Sequence, residues 1–438
     1  MLNAIKTAIE SLDNLSKEKP IKVISHYDAD GITSAAIFSK ALQRWHKHFS
    51  MQIVKGLEED FIKNLPEDHI LIFLDLASNS LEYLKEKKTK IFILDHHEIT
   101  QNIPENTTII NPLLQKREMI SSAGICYLFA KTISRENLDL ASLAIIGMIG
   151  DILEKNIGKT YNEILRDAET LIRKGPLIYP STRPLDKALE YSSNPYIPGV
   201  TGSYRGALEL LRDSNIIKTG STYKALYELT EEEMSRLITA IMLKIHSIQD
   251  SEKMLGNIYL IKFFNRMEDA RELSALINAC SRMNHSSVAL GFCLGNKSCK
   301  ERAEKIYVEY RQHLVSALRF VEESEKISGE NYTIINAKDS VKDTIIGTVA
   351  SILSHSPIYK EGTIIIALAY DQDKIKVSAR IAGKQGRNVR DVLNQVVVPL
   401  GGEVGGHPNA AGCLISKEKE ALFISELRKV LDIELVKI

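Results

Sequence analysis

Short uninterrupted apolar runs alternate with longer amphipathic stretches over the first 185 positions. Residues 21–24, 53–54, 70–74, 91–94 and 108–110 have the length and β-branched content of buried strands, with helix-length segments between them. That alternation predicts βαβ units and a parallel sheet. In such sheets ligands collect outside the carboxyl ends of the strands, so the polar residues directly after each run are the first candidates for chemistry.

The pattern changes near position 182. A Pro/Gly-rich stretch (Arg183-Pro184, Asn194-Pro195, Ile197-Pro198-Gly199, Gly202) leads into a helical 231–245, a strand-like 258–261, a helical 270–279 and an apolar 288–294. This reads as an inserted α/β domain. Tyr307, Tyr310, Leu314, Leu318 and Val321 then fall close to a/d spacing and predict one long helix. The tail carries strands at 333–335, 363–369 and 374–380 and helices at 346–353 and 417–431, a second and smaller α/β lobe. The expected organisation is therefore a parallel-sheet domain over 1–185, an insert over 186–300, a linker helix over 301–328 and the second lobe over 329–438.

Composition narrows the function classes. With 44% hydrophobic and 26% charged residues over 438 positions, the chain can bury two or three full cores. Lys+Arg and Asp+Glu both number 56, so no net positive field advertises nucleic acid, and any such binding must use a local surface. Five scattered cysteines never form a C-x-x-C pair, which argues for a reducing interior and core thiols. No signal-like segment or membrane-length apolar run is present, so a cytoplasmic location without membrane association is expected.

The chemistry sits where the apolar runs end. His26-x-Asp28-x-Asp30-Gly31 follows the first run, and alternate residues on an extended strand end would face one cleft. Asp75 follows five consecutive apolar residues, where an unpaired buried carboxylate is costly and a cation is the best compensation. Asp95-His96-His97 follows 91–94, and Asp151 follows a fourth apolar run, 144–150. Four strand ends would thus deliver carboxylate and imidazole to one place. A calcium loop counted from Asp28 fails at Ile32 and Ser39, where it needs an oxygen ligand and a Glu. A set rich in oxygen and nitrogen and free of thiolate suits a pair of hard divalent cations, which points to phosphoester hydrolysis.

The order H-x-D-x-D-G, D, D-H-H and G-x-x-G-D, followed by a C-terminal G-G-H segment, resembles the DHH phosphoesterase superfamily with its DHHA1 domain. In the tail, Gly347-Thr348-Val349-Ala350-Ser351, Val377-Ser378-Ala379-Arg380, Gly405-Gly406-His407 and Ala410-Ala411-Gly412 resemble that domain's helix start, basic strand and glycine-rich substrate loop. Pro195-Tyr196-Ile197-Pro198-Gly199, Asp269-Ala270-Arg271-Glu272-Leu273 and Asn278-Ala279-Cys280 look like the archaeal RecJ-like single-strand nucleases, a branch that includes partners of the GINS replication complex. His26 replaces the Asp that begins the bacterial RecJ motif.

The resemblance implies two Mn2+ or Mg2+ ions with Asp75 bridging, His26 and Asp28 completing one site, and Asp30, His96 and Asp151 the other. It leaves Asp95 to support its neighbours and His97 to meet the scissile phosphate. Ser378, Arg380, Gly405, Gly406 and His407 would grip the substrate. Tyr196, Tyr204, Arg183 and Arg205 are candidates for stacking and phosphate contacts in the insert. The implied function is a single-strand exonuclease on DNA or RNA, releasing mononucleotides in replication or repair. The alternatives are hydrolysis of very short oligonucleotides, 3′-phosphoadenosine phosphate or cyclic dinucleotides, and a GINS-bound replisome scaffold.

Overall fold

The computed structural model describes residues 1–438 apart from 116–117, 156, 179, 193–196, 246–253, 357, 384 and 433–438. Its chain divides into two compact units, Met1–Glu304 and Lys305–Ile438.

The first unit is built on five parallel strands, β1 (Ile21–His26), β2 (Phe49–Val54), β3 (Ile70–Leu74), β4 (Ile91–Leu94) and β5 (Thr107–Ile110), in the order β2-β1-β3-β4-β5. The chain direction of the winding reverses between β1 and β3, the position where an open α/β sheet leaves a crevice at its carboxyl edge. Register places the polar phrases level with one another. Ser25 pairs with Leu74, Leu74 with Leu94 and Leu94 with Ile110, so His26, Asp75 and Asp95 each begin the next level. Every residue of β3 and β4 is buried, as continuous apolar runs covered on both faces require.

Helices α1 (Ala29–Arg44), α2 (Ser122–Ile133) and α3 (Ala141–Gly150) pack against one another over this sheet. Two expectations change here. Residues 144–150 lie in α3 and not in a strand, because a short apolar run buried on all sides has no periodicity that separates the two states. Asp30 lies in the first turn of α1, so only His26 of the first phrase belongs to a strand.

The later part of this unit holds a separate apolar core that includes Ile178, Leu189, Leu210, Leu237 and Ile258. It is flanked by an antiparallel sheet of β6 (Leu171–Pro176), β7 (Leu255–Phe263) and β8 (Arg266–Asp269). Strand β6 precedes the expected start of the insert and pairs along its whole length with β7. Helix α4 (Ala270–Arg282) packs on α3, and its Asn278 Oδ1 accepts the Ala29 N–H at 3.0 Å. Of the insert phrases singled out, Asn194, Pro195 and Tyr196 lie outside the described residues.

Helix α5 (Lys297–Glu323) starts four residues before the predicted 301, since Asn296 Oδ1 accepts the N–H groups of Ser298 and Cys299 and begins the helix there. The second unit carries the mixed sheet β13-β14-β12-β11-β10-β9, formed by β9 (Ile327–Ser328), β10 (Tyr332–Asn336), β11 (Ile364–Asp371), β12 (Lys374–Ile381), β13 (Val404–His407) and β14 (Ala410–Ser416). Its core joins Ile334, Ile366, Val377 and Cys413 to Val392 and Phe423 of the helices Val389–Val397 and Glu420–Asp432. Among the described residues no helix is long and apolar enough to cross a membrane.

Candidate metal centre

Asp28 has two tasks. Its Oδ1 accepts the Gly31 N–H at 2.9 Å and caps α1, which leaves Oδ2 3.1 Å from His26 Nδ1. The same His26 nitrogen lies 3.3 Å from Asp75 Oδ2. Asp30, fully buried, accepts N–H groups from Ser122 at 2.7 Å and Ala123 at 2.9 Å, so the first turn of α2 aims its dipole at this carboxylate. His96 Nδ1 is 3.6 Å from Asp30 Oδ2 and 4.0 Å from Asp75 Oδ1, while its Nε2 is 3.3 Å from Asp151 Oδ2.

These contacts form three overlapping groups: His26, Asp28 and Asp75; Asp30, Asp75, His96 and Asp151; and Asp75, His96 and His97. Asp75 belongs to all three. It takes a left-handed backbone with φ 62°, an uncommon state for a residue with a Cβ, and Ile152 beside Asp151 does the same with φ 58°. Both turns lie at the cluster.

The donor set fits a hard divalent cation. His26 Nδ1, Asp75 Oδ2 and Asp151 Oδ2 are buried with no hydrogen bond of ordinary geometry among the described residues, although each lies within 3.3 Å of another ligand atom. Ligand atoms crowded in this way need either shared protons or a metal cation between them.

The electrostatics agree. Burial pushes Asp75 well above the ordinary carboxylate range, and the charges of Asp28, Asp30 and Asp95 add to it. Burial does the same to Asp151, with Asp30, Asp75 and Asp28 repelling it. Asp30 is raised by burial against the opposing pull of His96. Burial lowers His96, keeping the imidazole neutral as a metal ligand must be. Burial alone would lower His26, but Asp28 outweighs it and the group is pushed up to about 9.

The sign of the pH dependence follows. Protons held by Asp30, Asp75, Asp151 and His26 compete with a cation, so Mn2+ affinity should climb from the acidic range up to pH about 9, where His26 sheds its proton. Titration calorimetry in buffers of different ionisation enthalpy should register proton release. A pH-independent affinity would contradict the crowding.

Asp95 and His97 form a second layer. Asp95 Oδ1 lies 2.7 Å from His97 Nδ1 and accepts the His96 N–H at 2.8 Å, and its Oδ2 accepts the Ser78 N–H at 3.2 Å. Burial opposes the Asp95 charge, yet the bond from His97 and the nearby imidazoles hold its carboxyl well below the usual range. His97 is correspondingly raised, the pull of Asp95 exceeding the effect of burial. Its side chain is 34% exposed against 11% for His96, so His97 is the more accessible of these two imidazoles.

The G-x-x-G-D phrase has a packing cause. A Cβ on Gly147 would lie 2.4 Å from Asp30 Oδ1, 2.5 Å from the Ala123 Cβ and 2.8 Å from Thr33 Oγ1, so only glycine lets α3 reach the ligand carboxylate. Helix propensity alone would make Gly147→Ala stabilising by about 1 kcal/mol. Overpacking reverses the sign: a loss of roughly 1–3 kcal/mol is expected in chemical denaturation, together with weaker Mn2+ binding.

In the second unit Arg380 Nε donates to Ser351 Oγ at 2.9 Å, and its Nη1 donates to the Ala379 carbonyl at 2.8 Å. A Cβ on Gly347 would stand 3.2 Å from Ser378 Oγ and 3.8 Å from Arg380 Nη2, so the bare glycine keeps space beside both. Gly405, Gly406 and His407 are exposed on the edge strand β13. Gly406 has φ 113°, and a Cβ there would meet the Ala410 carbonyl at 2.4 Å. In the insert Arg183 pairs with Glu272 and Arg205 with Glu209, while the Tyr204 ring is part-exposed with Lys187 Nζ 4.4 Å from its centroid.

The DHH family, N-terminal domain, matches residues 20–148, a DHH-CID domain matches 178–255 and a DHHA1 domain matches 329–432. The chain belongs to the DHH/DHHA1 superfamily. An uncharacterised protein of Methanocaldococcus jannaschii is 28% identical over 97% of both chains. RecJ of Bacillus subtilis, a single-stranded-DNA-specific exonuclease, is 24% identical over 32% of this chain and 20% of its own length. The fold matches RecJ of Thermus thermophilus in complex with Mn2+ at TM-score 0.61 and 16% identity, over 98% of this chain and 55% of that one. It also matches CDC45 of Entamoeba histolytica at TM-score 0.66 and 14% identity, over 99% of both.

Proposed function

We propose that this protein is a divalent-metal-dependent exonuclease that hydrolyses single-stranded DNA or RNA to mononucleotides. The observation that carries the reading is Asp75, one carboxylate common to all three overlapping ligand groups at the carboxyl edge of a parallel sheet. His26, Asp28 and Asp75 would hold one cation, and Asp30, Asp75, His96 and Asp151 the other. A pair of Mn2+ or Mg2+ ions so held supplies an acidified water and neutralises charge on the phosphate.

The remaining roles belong to the chain itself. Asp95 fixes the His97 ring through Nδ1, and the raised His97 offers its Nε2 proton to a phosphate oxygen. Arg380 and Ser378, with the exposed backbone of Gly405, Gly406 and His407, grip the substrate's phosphates within the domain 329–438. Arg183 is held by Glu272, while Tyr204, Tyr196 and the exposed Arg205 are the candidates for stacking and phosphate contacts in the insert 186–300.

The test is a time course on one single strand labelled separately at its 5′ and 3′ ends, with Mn2+ and then Mg2+. Mononucleotides released progressively from one end are expected. No product with either metal sinks the reading. Activity confined to strands of a few nucleotides would assign the small-nucleotide alternative instead. The alternative that the archaeal resemblance implies is a scaffold bound to a GINS-type replication complex, and an Asp75→Asn chain that still binds such a complex would separate scaffold from enzyme.

A further inference from the structure

We propose that Ser122 is a positioning residue, holding Asp75 and His96 in the one arrangement that can receive a cation. The inference rests on the metal-dependent reading above and concerns a residue outside the six ligands.

Two serines open α2, and they divide the work. Ser121 supplies the helix cap: its Oγ accepts the Gly124 N–H at 3.3 Å, and its own N–H donates to the Tyr161 hydroxyl at 2.8 Å. The Ser122 hydroxyl is therefore not needed to start the helix. It is fully buried and lies 3.0 Å from Asp75 Oδ1 and 3.4 Å from His96 Nδ1, while the Ser122 backbone N–H donates to Asp30 at 2.7 Å. One residue thus touches three of the side chains that enclose the second group.

Proton bookkeeping sets the directions. A hydroxyl has one hydrogen and two acceptor lone pairs. Asp75 Oδ1 can only accept when ionised, and at the shorter distance it takes the hydroxyl hydrogen. The Ser122 oxygen then accepts from His96 Nδ1–H, which fixes the tautomer and leaves the Nε2 lone pair facing Asp151 Oδ2, 3.3 Å away. Partners of this kind, which orient a ligand without binding the metal, are worth about 10–100-fold in metal affinity.

The experiment is Mn2+ titration calorimetry on the full chain with Ser122→Ala, Ser122→Thr and Ser121→Ala. Ser122→Ala should weaken Mn2+ binding by about 10–100-fold while its metal-free melting temperature stays near that of the wild type. Ser122→Thr keeps the hydroxyl and should recover most of the affinity. Ser121→Ala removes the cap and a hydroxyl that also bonds Asp30, so it should lower the melting temperature while leaving the His96 tautomer as in the wild type. Nitrogen-15 spectra of the metal-free protein should show His96 protonated on Nδ1 in the wild type and lose that signature in Ser122→Ala. This readout also decides the matter should the threonine variant fail to fold. Wild-type binding that Ser122→Ala leaves unchanged overturns this proposal alone, whereas a wild type that binds no Mn2+ overturns the metal-dependent reading with it.

Discussion

Asp75→Asn should abolish Mn2+-dependent turnover while raising the melting temperature of the metal-free protein. The first effect follows from sharing: Asp75 belongs to every ligand group, so the change weakens both proposed sites together. Loss of several kcal/mol of charge stabilisation, at 1.36 kcal/mol per factor of ten, is about a thousandfold in rate. The second effect follows from burial and crowding. The folded-state pKa of Asp75 is raised above its unfolded value, so its favourable contribution is complete below the unfolded pKa and is lost as pH rises through the folded one. At any pH above the ordinary carboxylate range the group is therefore a net cost without metal. Asparagine keeps the shape and removes that charge, and a gain of about 1 kcal/mol corresponds to roughly 1–2 °C for a unit of this size. Differential scanning fluorimetry with and without Mn2+ reads both, since the variant should melt higher than wild type without metal and gain little when Mn2+ is added. Retained turnover would show that Asp75 is not shared between metals, and a lower metal-free melting point would contradict the crowding.

The opposed signs explain how legible this centre is in sequence. Strands β3 and β4 are buried throughout and read as continuous apolar runs, and β1 departs from that pattern at the half-buried Lys22 before its polar end. A carboxylate or imidazole directly after such a run is conspicuous because nothing in an apolar core would tolerate it unpaired. His26, Asp75, His96 and His97 were legible for that reason. Asp151 was found but given the wrong support: 144–150 is as apolar as a strand, and its glycines serve close packing against Asp30, Ala123 and Ala29 and not a turn.

Ser122 was missed because Ser121-Ser122 before a helix looks like ordinary capping. Its role arises only when the path from β5 into α2 returns the helix start to the sheet edge. Strand β6 was missed for a different reason. Arg173, Lys174, Gly175 and Pro176 break its apolar pattern, and the strand is specified by its pairing with β7 and by Arg173, whose guanidinium donates to the Tyr227 and Leu229 carbonyls.

Arg380→Ala should raise KM for a single strand by about 10–100-fold and leave Mn2+ affinity unchanged. A hydrogen bond to a charged partner contributes about 1.5–3 kcal/mol, which at 1.36 kcal/mol per factor of ten gives that range. The geometry favours a binding effect, because Arg380 Nε and Nη1 are anchored on Ser351 and the Ala379 carbonyl and the guanidinium plane is set in advance. Arg380→Lys keeps the charge but loses the fork, so it should recover only part of the affinity. Gly347→Ala tests the same place without touching charge: its methyl would stand 3.2 Å from Ser378 Oγ and 3.8 Å from Arg380 Nη2, and a smaller rise in KM is expected. Steady-state kinetics on strands of fixed length, paired with Mn2+ calorimetry, separates the contributions. A fall in kcat with KM unchanged would place Arg380 at the reacting phosphate instead of the substrate grip. An unchanged KM in both variants would remove the strand β12 from the phosphate-binding surface and leave His97 to carry substrate recognition from the metal side.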